Sequence, residues 1–338
     1  FRKSENYKNG GESDHRGSEG PLEVEDYRTI LDLTHAFVEA GQQAGHAKSL
    51  DLNGSVPEGV GYSQMTRKGR FRGSTARTFL SRAKKRRSVR IETEAFVTGL
   101  IFENKRCVGV KFTQKGKEHE ILAGKEVVLS GGAVNSPHIL QVSGIGPQEH
   151  LQSIGINTLH DLPGVGRNLQ DHYVSRISHR VENTDSINQL SRGIRLLREI
   201  GSWAFQGKGA LTFGITSAMV FSRSREGLSS PDIQLLFTPA SYSQKTHGEL
   251  EKEGGMTVVV CPVRPSSRGT IMAKSSDPFI RPLIRPNYFS DPDDIRVMIA
   301  GFRQARAILA QPAFKPFSVE ETVPGQMLQS DDELEKFA

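Results

Sequence analysis

Residues 130–146, SGGAVNSPHILQVSGIG, place four glycines, a proline and an apolar run within seventeen positions. The preceding KEVVL, residues 125–129, reads as a short buried strand. Gly131 and Gly132 then allow a sharp bend and a close backbone approach to a ligand, with no Cβ in the way. Ser136 suits a helix cap and Pro137 a first helical position, so PHILQV predicts two helical turns stopped by Gly144. Strand, glycine turn and helix N-terminus together can hold an anionic cofactor group, although plain strand-to-helix turns in α/β proteins use the same residues. The chain has no GxGxxG and no GxxxxGK[ST]; GVGRNL from Gly164 and GVGYSQ from Gly59 both fall short of the first pattern.

Metal chemistry finds no support. The ten histidines form no HExxH, and Cys107 and Cys261 lie far apart with no CxxC or Cys/His spacing. Two scattered cysteines suit a reducing compartment.

Other function classes are bounded by size and charge. A chain of 338 residues can bury a large core and suggests two domains. There is no run of eighteen apolar residues, so no transmembrane segment is expected. A cytoplasmic location, with or without attachment to a membrane surface, is the expectation. The net charge of +6 could attract a polyanion, and RAKKRRSVR at 82–90 has six cations in nine positions. Without interleaved aromatic residues or a recognition helix, that run reads as a solvated loop, and no nucleic-acid partner is expected.

The elements around the glycine stretch follow from periodicity. TILDLTHAFVEAGQQAG predicts an amphipathic helix capped by Thr29 and ended by Gly45, whereas the glycine-rich residues 51–75 read as loops and turns. Between 88 and 129, SVRIETEAFVTGLIFEN, CVGVKFTQ and KEVVLS read as three strands, the first pair turning at Asn104. Residues 187–205 predict a helix, PDIQLLFTP and GMTVVVCPV strands, and DPDDIRVMIAGFRQARAILAQ a helix with one apolar face. Strands and helices that do not alternate strictly suggest an antiparallel α+β region after about residue 171.

The stretch GGAVNSPHILQVSGIG, followed by HLQSIGINTLHDLPGVGRNLQDH, resembles the second signature of the glucose-methanol-choline (GMC) family of FAD-dependent oxidoreductases. The match runs in register through Gly132, Ala133, Ser136, Pro137, Ile139, Leu140 and Ser143 to Gly146, then Leu162 to Gly166 and Asn168 to His172. GSEGPLEV, DLNGSVPEGVGYSQMTRKGRFRGSTARTFL and VRPSSRGTIMAKSSDPFIRPLIRPNYFSDPDD are similar to further family segments in the same order. The resemblance thus covers roughly residues 1–325.

It implies an incomplete FAD-binding domain of doubly wound, Rossmann-like α/β type and a substrate domain on a mostly antiparallel sheet with helices. Residues 1–50 would be a substrate-domain and connecting segment, 51–170 the middle segment of the FAD domain and 171–338 the substrate-binding domain. Val97 matches the position whose backbone meets the adenine, and Gly131, Gly132 and Ala133 lie at the turn near the nucleotide; an ordinary inward strand valine is the alternative for Val97. The implied activity is oxidation of a primary alcohol to an aldehyde by hydride transfer to flavin N5, in a dehydrogenase using an external electron acceptor. A hydroxynitrile lyase and a truncated non-catalytic chain are the alternatives. The family's GxGxxG unit would precede Phe1 and its catalytic histidine would follow Ala338, so no catalytic residue is assigned and the chain alone is expected to be inactive and to hold FAD poorly. His172 is the best histidine by resemblance; His138 reads as a solvent-facing first-turn residue. Choline-oxidising members carry an acid where Gly214–Ala218 stand here, so the alcohol is expected to lack a quaternary ammonium, in a pocket drawing on Phe213, Met219 and Phe237, for which a place in the core is the equal alternative.

Overall fold

The computed structural model describes residues 2–11, 14–246 and 248–338. The chain forms two compact units, each discontinuous in sequence. The first comprises 1–89, 172–264 and 293–338, the second 90–171 and 265–292. Residues 51–89 therefore pack with the first unit and 265–292 with the second.

In the first unit a six-stranded sheet runs in the order Ser318–Val323, Ser175–Val181, Gly255–Pro262, Ile233–Thr238, Ala218–Ser222, Gly59–Tyr62, every neighbouring pair antiparallel. Ala218, Val220 and Ser222 alternate inward, as a strand of period 2 requires, whereas almost every residue of Gly255–Pro262 is buried. The helix Asp32–Gln43 closes one side of this core, with Phe37 stacked on Phe237 at 4.5 Å. Helix Pro292–Leu309 packs so closely that a Cβ on Gly301 would stand 2.4 Å from Val260 Cγ1. A smaller four-stranded sheet joins Glu5–Tyr7, Leu22–Asp26, Gln64–Lys68 and Phe71–Arg72.

Sequence and structure part at several elements. Residues 51–75 are not all loop: Gly59–Tyr62, Gln64–Lys68 and Phe71–Arg72 are strands. Their glycines serve close packing, because a Cβ on Gly59 would meet Ala47 O at 2.3 Å and one on Gly61 would meet Ser49 O at 2.7 Å. Helix Asp32–Gln43 is preceded by Leu31, not capped by Thr29, and the 187–205 segment divides into Ile187–Leu190 and Gly193–Gln206.

The second unit carries an antiparallel meander, Ala95–Glu103, Arg106–Gln114 and Lys117–Leu122, with Asn104 left-handed at the first turn. Its third strand is KEHEIL, which lies between the expected strands CVGVKFTQ and KEVVLS. The expected strand at 125–129 is irregular chain with no ladder partner among the described residues, and Val128 is 77% exposed. Helix Gly132–Val142 packs on the Ala95–Glu103 strand and on Thr270–Met272, which pairs with Leu283–Arg285. The cationic run after Ala83 is exposed loop, as expected.

Candidate cofactor and substrate sites

The helix after the glycine turn begins earlier than its sequence suggests, at Gly132 with φ +80°, so Ser136 and Pro137 lie inside it. Gly131 at its N-cap has no side chain to accept from the first-turn amides. These N–H groups, at the positive end of the helix dipole, remain available to an anion. Pro137 has no N–H, so the carbonyl of Ala133 one turn earlier is also left outside the helical ladder.

Ala133 and Pro137 open onto a cavity of about 360 Å³ lined further by Gly166, Arg167, Asn168, Leu169, Gln170 and Ile271. The 164–170 loop is fastened at its back: Leu169 and Gly269 exchange backbone hydrogen bonds of 3.0 and 2.9 Å, and Ile271 N–H donates to Gly166 O at 2.6 Å. Gly166 has φ +79°, and a Cβ there would meet Ile271 O at 2.2 Å. At Gly166 the wall is therefore bare backbone, which leaves room for close approach.

Gln141 ties the helix to this wall. Fully buried, it donates from Nε2 to Ile271 O at 3.0 Å and accepts from Ala273 N–H at Oε1, 2.7 Å away. Gln141→Leu would leave two buried backbone groups unpaired, and we expect a loss of about 2–4 kcal/mol in urea unfolding.

Of the residues singled out from sequence, Ala133 lines the cavity, with Gly131 and Gly132 next to it at the helix start. Val97 does not line it. It sits half-buried opposite Phe112 on the edge strand of the meander, where one side of the backbone is left out of the ladder. Farther along that strand, Leu100 N–H is taken by Ser143 Oγ at 2.9 Å. Gly166–Gln170, Gln141 and Ile271 were missed as site residues, although GVGRNLQDH was recognised as part of the family signature.

His138 is buried, not solvent-facing, because six helical residues precede it. Burial lowers its pKa from the ordinary 6.5. The folded form therefore binds the proton less readily than the unfolded chain, so the His138 contribution is present above about pH 6.5 and is lost as pH falls towards the lower folded value. Thermal midpoints measured from pH 7.5 to 5 should decline, and His138→Leu should flatten part of that decline. His172 is an exposed residue whose ring contacts Val263 O at 3.1 Å.

The first unit holds a larger cavity, about 600 Å³, whose walls include Tyr27, Arg67, Arg70, Phe71, Arg72 and Phe213. Gly214, Ile215 and Thr216 complete one side, and no Asp or Glu is among its described lining residues. Of the three expected pocket residues only Phe213 lines it; Phe237 is core, and Met219 is a half-buried strand residue. Tyr27 Oη donates to Thr216 O at 2.7 Å and accepts from Gly214 N–H at 3.1 Å. Burial pushes its pKa up to about 12, so it remains a neutral donor at physiological pH. Arg67 is almost fully buried, with Nε 3.0 Å from Glu25 and 2.7 Å from Gly69 O.

The second unit thus has an uncapped helix terminus beside a cavity, and the first a cavity with no Asp or Glu among its described lining residues, within a fold of mixed helices and sheets. Family models of the GMC oxidoreductases match residues 5–174 and 265–338. The chain belongs to the GMC oxidoreductase family, and the cofactor of that family is FAD. It is 38% identical to an alcohol dehydrogenase [acceptor] of Pseudomonas putida, over 99% of this chain and 61% of that protein. It is also 38% identical to the mitochondrial choline dehydrogenase of Homo sapiens, over 100% of this chain and 56% of that one. The chain thus spans about three fifths of the length of these relatives. A formate oxidase of Aspergillus oryzae RIB40, solved in a study of FAD modification, superposes with a TM-score of 0.87 at 25% identity, over 99% of this chain and 64% of that chain. Pyridoxine 4-oxidase from Mesorbium loti shares the fold, with a TM-score of 0.85 at 22% identity and coverage of 100% and 62%.

Proposed function

We propose that the protein oxidises an uncharged primary alcohol to the aldehyde, with FAD as cofactor and an external electron acceptor. The observation that carries the substrate choice is the lining of the 600 Å³ cavity, with three arginines and no carboxylate. A quaternary ammonium requires an anion or an aromatic cage, and Arg67, Arg70 and Arg72 oppose it.

The second unit would hold the nucleotide. Amides at the start of helix Gly132–Val142 would face its anionic part, Gly166–Leu169 would form the backbone wall, and Val97 would offer its edge N–H and C=O to the adenine. These residues fit the group because the site combines an uncapped helix terminus with a loop whose Gly166 carries no side chain beside it. When bound, FAD supplies the two-electron acceptor for the carbinol hydride. The first unit would supply the substrate side, its cavity excluding water and Tyr27 holding the 214–216 wall through two hydrogen bonds.

The experiment is a paired assay of the FAD-loaded protein: reduction of an artificial dye with hexanol or benzyl alcohol, and cyanide release from a cyanohydrin. Alcohol-dependent dye reduction without cyanide release supports the reading, and the reverse pattern replaces it with a lyase.

A further inference from the structure

Helix Gly193–Gln206 keeps its apolar side outside the core. Phe205 is 89% exposed, Ile194 83%, Leu197 67% and Ile200 42%, and no residue of the helix is buried. At ~100° per residue these four share one side with Gly201. The arrangement is fixed by the other side. Trp203 donates from Nε1 to Arg70 O at 3.1 Å and meets Phe71 edge-on at 5.8 Å, Arg70 donates to Ala204 O, and the turn Ala210–Thr212 packs on the helix. The apolar stripe is therefore held outward by its own anchors.

Charge indicates what covers it. Residues 192–208 contain four cations, Arg192, Arg195, Arg198 and Lys208, and one anion, Glu199. Glu199 is turned towards Ala210 N–H, which it accepts at 2.6 Å, and Arg195 is paired with Asp185. Arg192 is tied back through hydrogen bonds from its guanidinium to Leu250 O and Glu251 O at 3.1 and 3.3 Å, whereas Arg198 and Lys208 are exposed, and Arg198 neighbours Phe205 around the helix. The core of a protein–protein interface is depleted of charge, and nothing acidic on the helix offers a second copy a complement to these cations. A stripe of Ile, Leu and Phe flanked by cations that can extend to phosphates matches a helix lying in a lipid headgroup layer.

We propose that helix Gly193–Gln206 docks the protein on the surface of an anionic membrane, with Ile194, Leu197, Ile200 and Phe205 entering the acyl boundary and Arg198 and Lys208 meeting lipid phosphates. The docking does not depend on the alcohol-oxidising reading. Among the described residues no helix is long and apolar enough to cross a membrane, so the contact would be peripheral and reversible.

The test is co-sedimentation of the full chain with vesicles of phosphatidylcholine alone and with 30% phosphatidylglycerol, at low and high salt. We expect binding to the anionic vesicles, at least about tenfold weaker to neutral ones and weakened by salt. Leu197→Glu with Phe205→Glu should reduce it about tenfold or more with an unchanged thermal midpoint, because both side chains are exposed. Arg198→Gln with Lys208→Gln should remove the salt dependence without unfolding. Absence of binding to anionic vesicles, or binding unaffected by both double variants, overturns the proposal. So does apolar-face-dependent dimerisation in sedimentation velocity without vesicle binding, which would make a second copy the occupant.

Discussion

Gly166→Ala should cost about 2–4 kcal/mol and strip the protein of its ability to retain FAD. Two effects add. The residue has φ +79°, a conformation in which any Cβ is strained by about 1 kcal/mol or more. That Cβ would also stand 2.2 Å from Ile271 O and 2.5 Å from Gln141 Nε2. Neither neighbour can move cheaply, since Ile271 N–H donates to Gly166 O and Gln141 binds both Ile271 O and Ala273 N–H. The loop must therefore shift as a whole, and it carries Arg167–Gln170, half the wall of the cofactor cradle. Urea unfolding gives the stability change and flavin absorbance after gel filtration gives the retained cofactor. An alanine variant with wild-type stability and flavin content would mean that the 164–170 loop does not form the cradle.

The second large effect concerns substrate charge. Choline should react about thirtyfold less efficiently in kcat/KM than an uncharged primary alcohol of similar size. A cation ~8 Å from a guanidinium is opposed by about 2 kcal/mol at an effective dielectric of ~20. Glu25 offsets Arg67, and Arg70 and Arg72 remain. Their summed repulsion, about halved by solvent, is about 2 kcal/mol, which corresponds to roughly thirtyfold. Arg72→Gln, at an exposed position, should narrow the ratio about fivefold while leaving the uncharged alcohol nearly unchanged. Equal efficiency for choline and the uncharged alcohol would remove the cavity from the substrate path.

Much of this was legible in the residues. The antiparallel sheet after residue 171, the Asn104 hairpin and helix Pro292–Leu309 all follow from local periodicity. The family followed from the order of short motifs, which no composition could supply. What misled were residues whose role lies in packing against distant segments. Glycines at 59 and 61 looked like turn formers, yet they admit Ala47 and Ser49 from a neighbouring segment. Pro137 looked like a helix start and stands inside the helix, where it spares the Ala133 carbonyl. KEVVL has the apolar content of a buried strand, but a strand needs a neighbour on its edge, and among the described residues 125–129 pair with none. Gln141 could not have been found, because a buried glutamine is recognisable only by the two backbone groups it satisfies 130 and 132 residues away.

The most direct measurement is the anaerobic titration of the FAD-loaded protein, expressed from its complete gene, with an uncharged primary alcohol, following flavin absorbance near 450 nm. The alcohol should bleach this band, choline at the same concentration should do so far more slowly, and an added acceptor should restore it. Flavin that stays oxidised with every primary alcohol, in protein shown to hold it, would contradict the proposed alcohol oxidation.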